Sequence, residues 1–119
     1  MARPTLMIVE PEPTEALSVR KLVVETAKFN VVTAYSVSEA KELLRLFPNV
    51  DATVILAEMK DCEQAVKAAK ATNASMPVIL LSANRNYRCA DAEHHISSHE
   101  PEELVELLRS LFGDPRKVA

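Results

Sequence analysis

Four carboxylates, Glu10, Glu12, Glu58 and Asp61, follow two short apolar runs of this sequence. If the two runs are neighbouring strands of a parallel sheet, their carboxyl ends meet at one edge, where such proteins place their ligands and chemistry. Carboxylate oxygens are the ligands that Mg²⁺ and Ca²⁺ prefer. Glu10, Glu12 and Glu58 are therefore weak candidates for a cation site, with Asp61 beside them. The preferred interpretation is that they spread over a solvated rim.

The histidines and serines offer little further chemistry. His94, His95 and His99 are close in sequence, but adjacent residues of a strand point to opposite faces, so we expect no shared transition metal. Ser82 near His95 or His99 has neither an orienting acid nor a glycine elbow, so we expect no nucleophilic catalysis. The sequence predicts no catalytic residue, and the chain is not expected to be an enzyme.

The composition excludes several classes of function. The 119 residues carry a net charge of −3 and only one glycine, Gly113, which rules out a GxGxxG fingerprint and a P-loop. There is no basic run for nucleic acid, no membrane-length apolar run and no signal-peptide core. We therefore expect a cytoplasmic protein with no direct nucleic-acid or membrane contact. Cys62 and Cys89 form no disulfide framework.

The pattern of apolar residues alternates between strand and helix periods. Strands are predicted at residues 5–9, 30–34, 53–58, 77–82 and 95–97. Helices are predicted at 14–28, at 37–47, from 61 onward, at 84–92 and at 101–112. This alternation predicts one α/β domain, residues 1–119, with a parallel sheet covered on both faces. Its core spans about residues 5–112, and residues 113–119 form a short tail. The third strand, rich in β-branched residues, is expected at the centre of the sheet.

Helix starts and buried faces can also be predicted. Thr14, Ser36 and Asp61 are candidate N-caps, and Pro101 suits the first position of the last helix. The helical spacing predicts the following inward-facing residues: Ala16, Val19, Leu22, Val23 and Ala27; Ala40, Leu43, Leu44 and Phe47; Cys62, Ala65, Val66 and Ala69; Leu104, Leu107, Leu108 and Leu111.

In order and junctions, these elements resemble the receiver domain of two-component response regulators. The resemblance covers about residues 5–112, and rests on the order and spacing of residues 6–10 (LMIVE), 29–34 (FNVVTA), 54–56 (VIL), 77–83 (PVILLSA) and 101–104 (PEEL). It implies a flavodoxin-like (βα)5 three-layer sandwich, with a five-stranded parallel sheet in the order 2-1-3-4-5.

The same resemblance implies phosphoryl transfer from a histidine kinase to an Asp that ends the third strand. In the family, two acids after the first strand hold Mg²⁺, and a Thr or Ser and a Lys end the fourth and fifth strands. Here the Asp position falls on Ala57, and the two acids fall on Glu10 and Pro11. Ala57 cannot accept a phosphoryl group, and Pro11 offers the metal no side-chain ligand.

Of the family's Thr or Ser and Lys positions, only the first is matched in this sequence. Ser82 matches the Thr or Ser, but the Lys position falls on Ser98, or on Ser97 if the register shifts by one. Neither serine supplies a cation. The resemblance therefore implies a degenerate receiver that lacks the phospho-accepting Asp. No cofactor is expected, and a bound Mg²⁺ is the disfavoured alternative.

These observations predict a signalling module that binds other proteins without Asp phosphorylation. Its partners would be a histidine kinase, another regulator or a second copy, docking on the family's usual face, here residues 84–112. Tyr87, His95 and Leu104 are the candidate switch or interface residues. Two alternatives stay open: an active receiver phosphorylated at Glu58 or Asp61, and a small-molecule or metal-binding flavodoxin-like domain. Glu58 could also mimic a charged, activated site, against the simpler interpretation of a solvated loop carboxylate.

Overall fold

Five short strands form one parallel sheet in the computed structural model, which describes residues 4–11, 19–59, 61–83, 92–98 and 100–115. The strands are β1 (Thr5–Val9), β2 (Asn30–Ala34), β3 (Ala52–Leu56), β4 (Val78–Ser82) and β5 (His94–Ser97). Their spatial order is β2-β1-β3-β4-β5, and every pair is parallel. The predicted topology, with the third strand at the centre and the fifth at an edge, is confirmed.

Four helices lie within the described residues: α1 (Val19–Thr26), α2 (Val37–Leu46), α3 (Cys62–Thr72) and α4 (Pro101–Phe112). The predicted helix at 84–92 falls on residues outside the described ranges, except for Ala92, and so it stays a prediction. Thr14 and Ala16 also lie outside those ranges. No helix in the described ranges has the length and apolarity needed to cross a membrane.

The sheet separates two apolar cores. Met7 and Val9 of β1 belong to the core under α2 and α3, whereas Leu6 and Ile8 belong to the core under α1 and α4. This division follows from the alternation of side chains along a strand. All residues of the central strands β3 and β4 are buried. The predicted arrangement, a sheet covered on both faces, is confirmed as three layers.

Both testable N-cap positions, Ser36 and Asp61, are correct, but only the Ser36 side chain caps its helix. The Ser36 side-chain oxygen accepts a hydrogen bond of 3.0 Å from the Glu39 backbone N–H at the start of α2. Asp61 is the N-cap residue of α3, as predicted, but its side chain makes no capping hydrogen bond. Asp61 has a φ of 62°, in the left-handed region, whereas a side-chain N-cap normally needs an extended backbone.

The helix faces are partly as predicted. Cys62, Ala65, Val66, Ala69, Ala40, Leu44, Leu104 and Leu108 are buried as expected. However, Leu22, Phe47 and Leu111 are 51%, 49% and 36% exposed, so the prediction for these three is wrong. The buried stripes of α1 and α4 pass through Val24 and Val105 instead. Phe47 leaves the helical spacing because it follows the last residue of α2 with a φ of −127°.

Candidate functional site

The predicted site lies where β3, β4 and β5 end, and the strand register fixes which residues are level. Ser82 is paired with Ser97 across β4 and β5. Leu56 is paired with Leu81 across β3 and β4, and the Ala57 N–H donates a 2.7 Å hydrogen bond to the Leu81 carbonyl. Ala57 is therefore level with Ser82, and Ala57, Ser82 and Ser97 follow one another across the sheet.

The same register extends to β1. Val9 is paired with Ile55, so the residue level with Ala57 on that side is Pro11. We call Pro11, Ala57, Ser82 and Ser97 the strand-end row. By alternation, its members face the α2–α3 side of the sheet, where Ala57 packs against the core. The row presents a proline ring, a methyl group and two hydroxyls, and contains neither a carboxylate nor a cation.

Ser98 lies one residue beyond the strand-end row. Its backbone N–H donates a 3.0 Å hydrogen bond to the Ser82 carbonyl, which ties the end of β5 to the end of β4. Of the two serines that the sequence left open, Ser97 is the one in register with Ser82. Either assignment puts a hydroxyl, not an ammonium group, at this position.

Glu10 is the carboxylate at the end of β1, and only 1% of its surface is exposed. Its backbone N–H donates a 3.0 Å hydrogen bond to the Ala34 carbonyl at the end of β2. Glu12 lies outside the described residues. Across the described ranges, no group of three or more His, Cys, Asp or Glu side chains is placed to hold a metal ion. The structure thus does not gather Glu10, Glu58 and Asp61 into one cation site.

Glu58 makes a contact that the sequence pattern did not predict. Its Oε1 accepts a 2.7 Å hydrogen bond from the backbone N–H of Ala83. The two residues are level with each other, each one position beyond the strand-end row. Glu58 is exposed, as expected for a loop carboxylate, but it has a defined partner. The strand register, once known, is the signal that could have found this contact.

A shallow cavity of about 460 Å³ lies beside Glu58. Five of its eight lining residues carry polar side chains, Tyr35, Ser36, Ser38, Glu58 and Asp61, and the other three are Pro11, Val37 and Met59. This mixed lining differs from the apolar pocket that a small-molecule-binding flavodoxin-like domain would offer at its strand ends.

The predicted switch and interface residues are placed in different environments. His95 is half-buried in the edge strand β5 and lines a cavity of about 500 Å³ with His94, Ile96, Glu93, Glu103, Glu106 and Leu107. Leu104 is 1% exposed and packs in the core, so it would support the face from beneath. Tyr87 and His99 lie outside the described residues.

No protein-family model and no curated protein matches the sequence. By structure, the chain is similar to a response regulator receiver domain protein from Clostridium thermocellum, with a TM-score of 0.80, 18% identity, and coverage of 95% of this chain and 97% of that one. The chain has the CheY-like, flavodoxin-like fold.

Two further solved structures share the CheY-like fold. One is the response regulator TrrA from Thermotoga maritima in complex with Mg²⁺ and BeF, with a TM-score of 0.70, 24% identity, and coverage of 91% of this chain and 98% of that one. The other is a CheX–CheY–BeF₃–Mg²⁺ complex from Borrelia burgdorferi, with a TM-score of 0.72, 18% identity, and coverage of 92% and 89%. At these identities, the likeness shows the fold.

Proposed function

We propose that this chain is a receiver-like signalling domain that acts by binding other proteins, is not switched by Asp phosphorylation and is not an enzyme. One observation carries the proposal. The strand-end row, at the edge where a CheY-like fold would hold its phosphorylation site, consists of Pro11, Ala57, Ser82 and Ser97. The row has no counterpart of the acceptor Asp, of the second metal-binding acid or of the Lys that the chemistry needs.

Electrostatics explain why this edge suits no phosphoryl group. Phosphoryl transfer to a carboxylate needs the nucleophile itself, a divalent ion and a cation to offset the transferred charge. A phosphoryl group carries nearly two negative charges at neutral pH. Ala57 offers no nucleophile, and the carboxylates of Glu10 and Glu58 flank the row. With no cation in the row, like charges would repel an incoming phosphoryl group.

Phosphoryl donors give the direct test. We expect no mass increase after incubation with acetyl phosphate and Mg²⁺, and no beryllium fluoride adduct by ¹⁹F NMR. An active receiver with Asp at the end of its third strand serves as the positive control under the same conditions. A stoichiometric adduct on the wild-type chain would contradict the proposal. If Glu58→Gln or Asp61→Asn then abolished that adduct, the chain would be an active receiver with a displaced acceptor.

The described part of the proposed partner face is formed by β5 and α4. His94, His95, Glu103, Glu106 and Leu107 surround the shallow cavity on this face, which mixes imidazole, carboxylate and aliphatic groups. The Borrelia burgdorferi structure contains a CheY domain bound to a second protein, and this precedent supports a protein partner here. A kinase, another regulator or a second copy of this chain would each fit the proposal.

A pair of charge reversals tests the face. Glu106→Lys reverses the charge of an exposed residue of α4 that lies within the face. Glu63→Lys makes the same change at an exposed residue of α3, which lies outside the face. We expect Glu106→Lys to weaken self-association or the capture of a partner from the source cells severalfold, and Glu63→Lys to leave it unchanged. Thermal unfolding midpoints verify that both variants fold. Equal binding by both variants and the wild type would argue against this face.

A further inference from the structure

The ends of β3 and β4 are joined by a side chain as well as by the sheet. Glu58 Oε1 lies 2.7 Å from the backbone nitrogen of Ala83, which follows the last residue of β4. The backbone ladder ends nearby, with the Ala57 N–H bonded to the Leu81 carbonyl and the Ser98 N–H bonded to the Ser82 carbonyl. The Ala83 N–H therefore lies one residue beyond the last strand residue of β4, and it donates its hydrogen bond to the Glu58 carboxylate.

The hydrogen bond from the Ala83 N–H to Glu58 has a charged acceptor. A hydrogen bond between a backbone N–H and an ionised carboxylate is short and roughly twice as strong as one between neutral groups. Both residues are exposed, so water competes for each of them. The contact forms because the parallel register brings Glu58 and Ala83 level, one residue beyond the strand-end row.

We propose that Glu58 is the resident anion of this edge of the sheet. Its carboxylate supplies, from within the chain, a negatively charged acceptor that holds the Ala83 amide in place with no phosphoryl group or bound ion. Ala83 is the first residue after β4, so the bond fixes the point where the chain leaves the sheet. This inference rests on the proposed function, in which no phosphoryl group occupies this edge.

If Glu58 has this role, an added small carboxylate should be able to take its place once the side chain is removed. In Glu58→Ala, the acceptor is gone and the space of its side chain is open to solvent. A small carboxylate such as formate can then reach the Ala83 N–H, whereas in the wild type Glu58 already occupies that position. In Glu58→Gln, the amide oxygen can accept the same bond without the charge. The three proteins therefore separate the effect of the acceptor from the effect of its charge.

Backbone NMR with hydrogen exchange is the test, using Glu63→Ala, which removes an exposed carboxylate from α3, as the matched control. We expect the Ala83 amide to exchange about tenfold faster in Glu58→Ala than in the wild type, equivalent to about 1.4 kcal/mol. Glu58→Gln should fall between them, and Glu63→Ala should match the wild type. Formate should shift the Ala83 amide saturably in Glu58→Ala alone.

Three results would overturn the proposal. The first is an Ala83 amide that exchanges equally fast in the wild type and in Glu58→Ala. The second is a Glu58→Gln variant identical to the wild type, which would show that the charge contributes nothing. The third is a formate response that is absent in Glu58→Ala or equal in the wild type. A phosphoryl adduct on the wild type would instead defeat the proposed function, and mass spectrometry reports that separately from amide exchange.

Discussion

Thr53 is a polar side chain in the middle of the apolar sheet, and its hydroxyl is fully buried in β3. It donates a 3.0 Å hydrogen bond to the Met76 sulfur, a weak acceptor. Thr53→Val should therefore change the free energy of unfolding by less than about 1 kcal/mol, because it removes the buried hydroxyl and fills the same space. Thr53→Ser keeps the hydroxyl but deletes a methyl group, and should cost about 1 kcal/mol.

Urea unfolding of the two Thr53 variants and the wild type measures both effects. If Thr53→Val proved the more destabilising change, the hydrogen bond to sulfur would matter more than packing here. At this scale, the resemblance of the sequence implies that Pro11, Ala57 and Ser82 stand at the strand ends, and the strand register agrees. It could not predict the Glu58–Ala83 contact, which depends on a register between two strands far apart in the chain.

The C-terminal end of α1 is capped by a residue other than glycine. Lys28 has a φ of 74°, its N–H bonds to the Glu25 carbonyl, and the Phe29 N–H bonds to the Val24 carbonyl, which together form a Schellman motif. A left-handed backbone costs a residue with a β-carbon roughly 1–2 kcal/mol. Lys28→Gly should therefore stabilise the fold by up to about 1 kcal/mol after the added entropy of glycine in the unfolded chain.

Lys28→Ala is the matched control, because it removes the same exposed charge and keeps the β-carbon. We expect it to show no gain in the thermal unfolding midpoint, whereas Lys28→Gly raises it. A gain in both variants would point to the charge and not to the backbone. The comparison tests whether a chain with a single glycine retains strain at its helix ends.

Element positions were more predictable than their ends and faces. The five strands and three of the helix starts, at Val37, Cys62 and Pro101, lie where the periodicity and punctuation predict them. The left-handed Asp61 and the exposed Leu22, Phe47 and Leu111 were not foreseen. Local spacing predicts which face of a helix is buried only to within about one residue per turn. Packing against the sheet decides which residues of that turn are buried.

At the scale of the whole molecule, the crossovers between parallel strands bring the strand-end row together from distant parts of the chain. This topology places Pro11, Ala57, Ser82 and Ser97 level with one another at one edge of the sheet. The row lies at the carboxyl end of the sheet, where Pro11 is exposed and Ala57 half-buried, whereas Ser82 and Ser97 are buried. Substitutions at Pro11 and Ala57 are therefore expected to disturb the two cores less than substitutions at the two serines.

Ala57→Asp alone should not confer phosphoryl uptake, although it places a carboxylate at the end of β3. Pro11 would still leave Mg²⁺ short of a ligand, and Ser97 would still supply no positive charge to the transferred group. We expect no beryllium fluoride adduct with Mg²⁺ by ¹⁹F NMR. Adding Pro11→Asp and Ser97→Lys to Ala57→Asp should produce one, because the row then holds two acids and a cation.

The register makes the third substitution a sharp test. Ser97 is level with Ser82 and on the same face of the sheet, whereas Ser98 is one residue beyond and points to the other face. A triple variant with Ser98→Lys in place of Ser97→Lys should therefore bind beryllium fluoride more weakly than the first triple variant. Efficient uptake by Ala57→Asp alone would show that the acceptor carboxylate is sufficient and that Pro11 and Ser97 do not prevent uptake. Stronger uptake with Ser98→Lys would mean that the cation reaches the site from beyond the row.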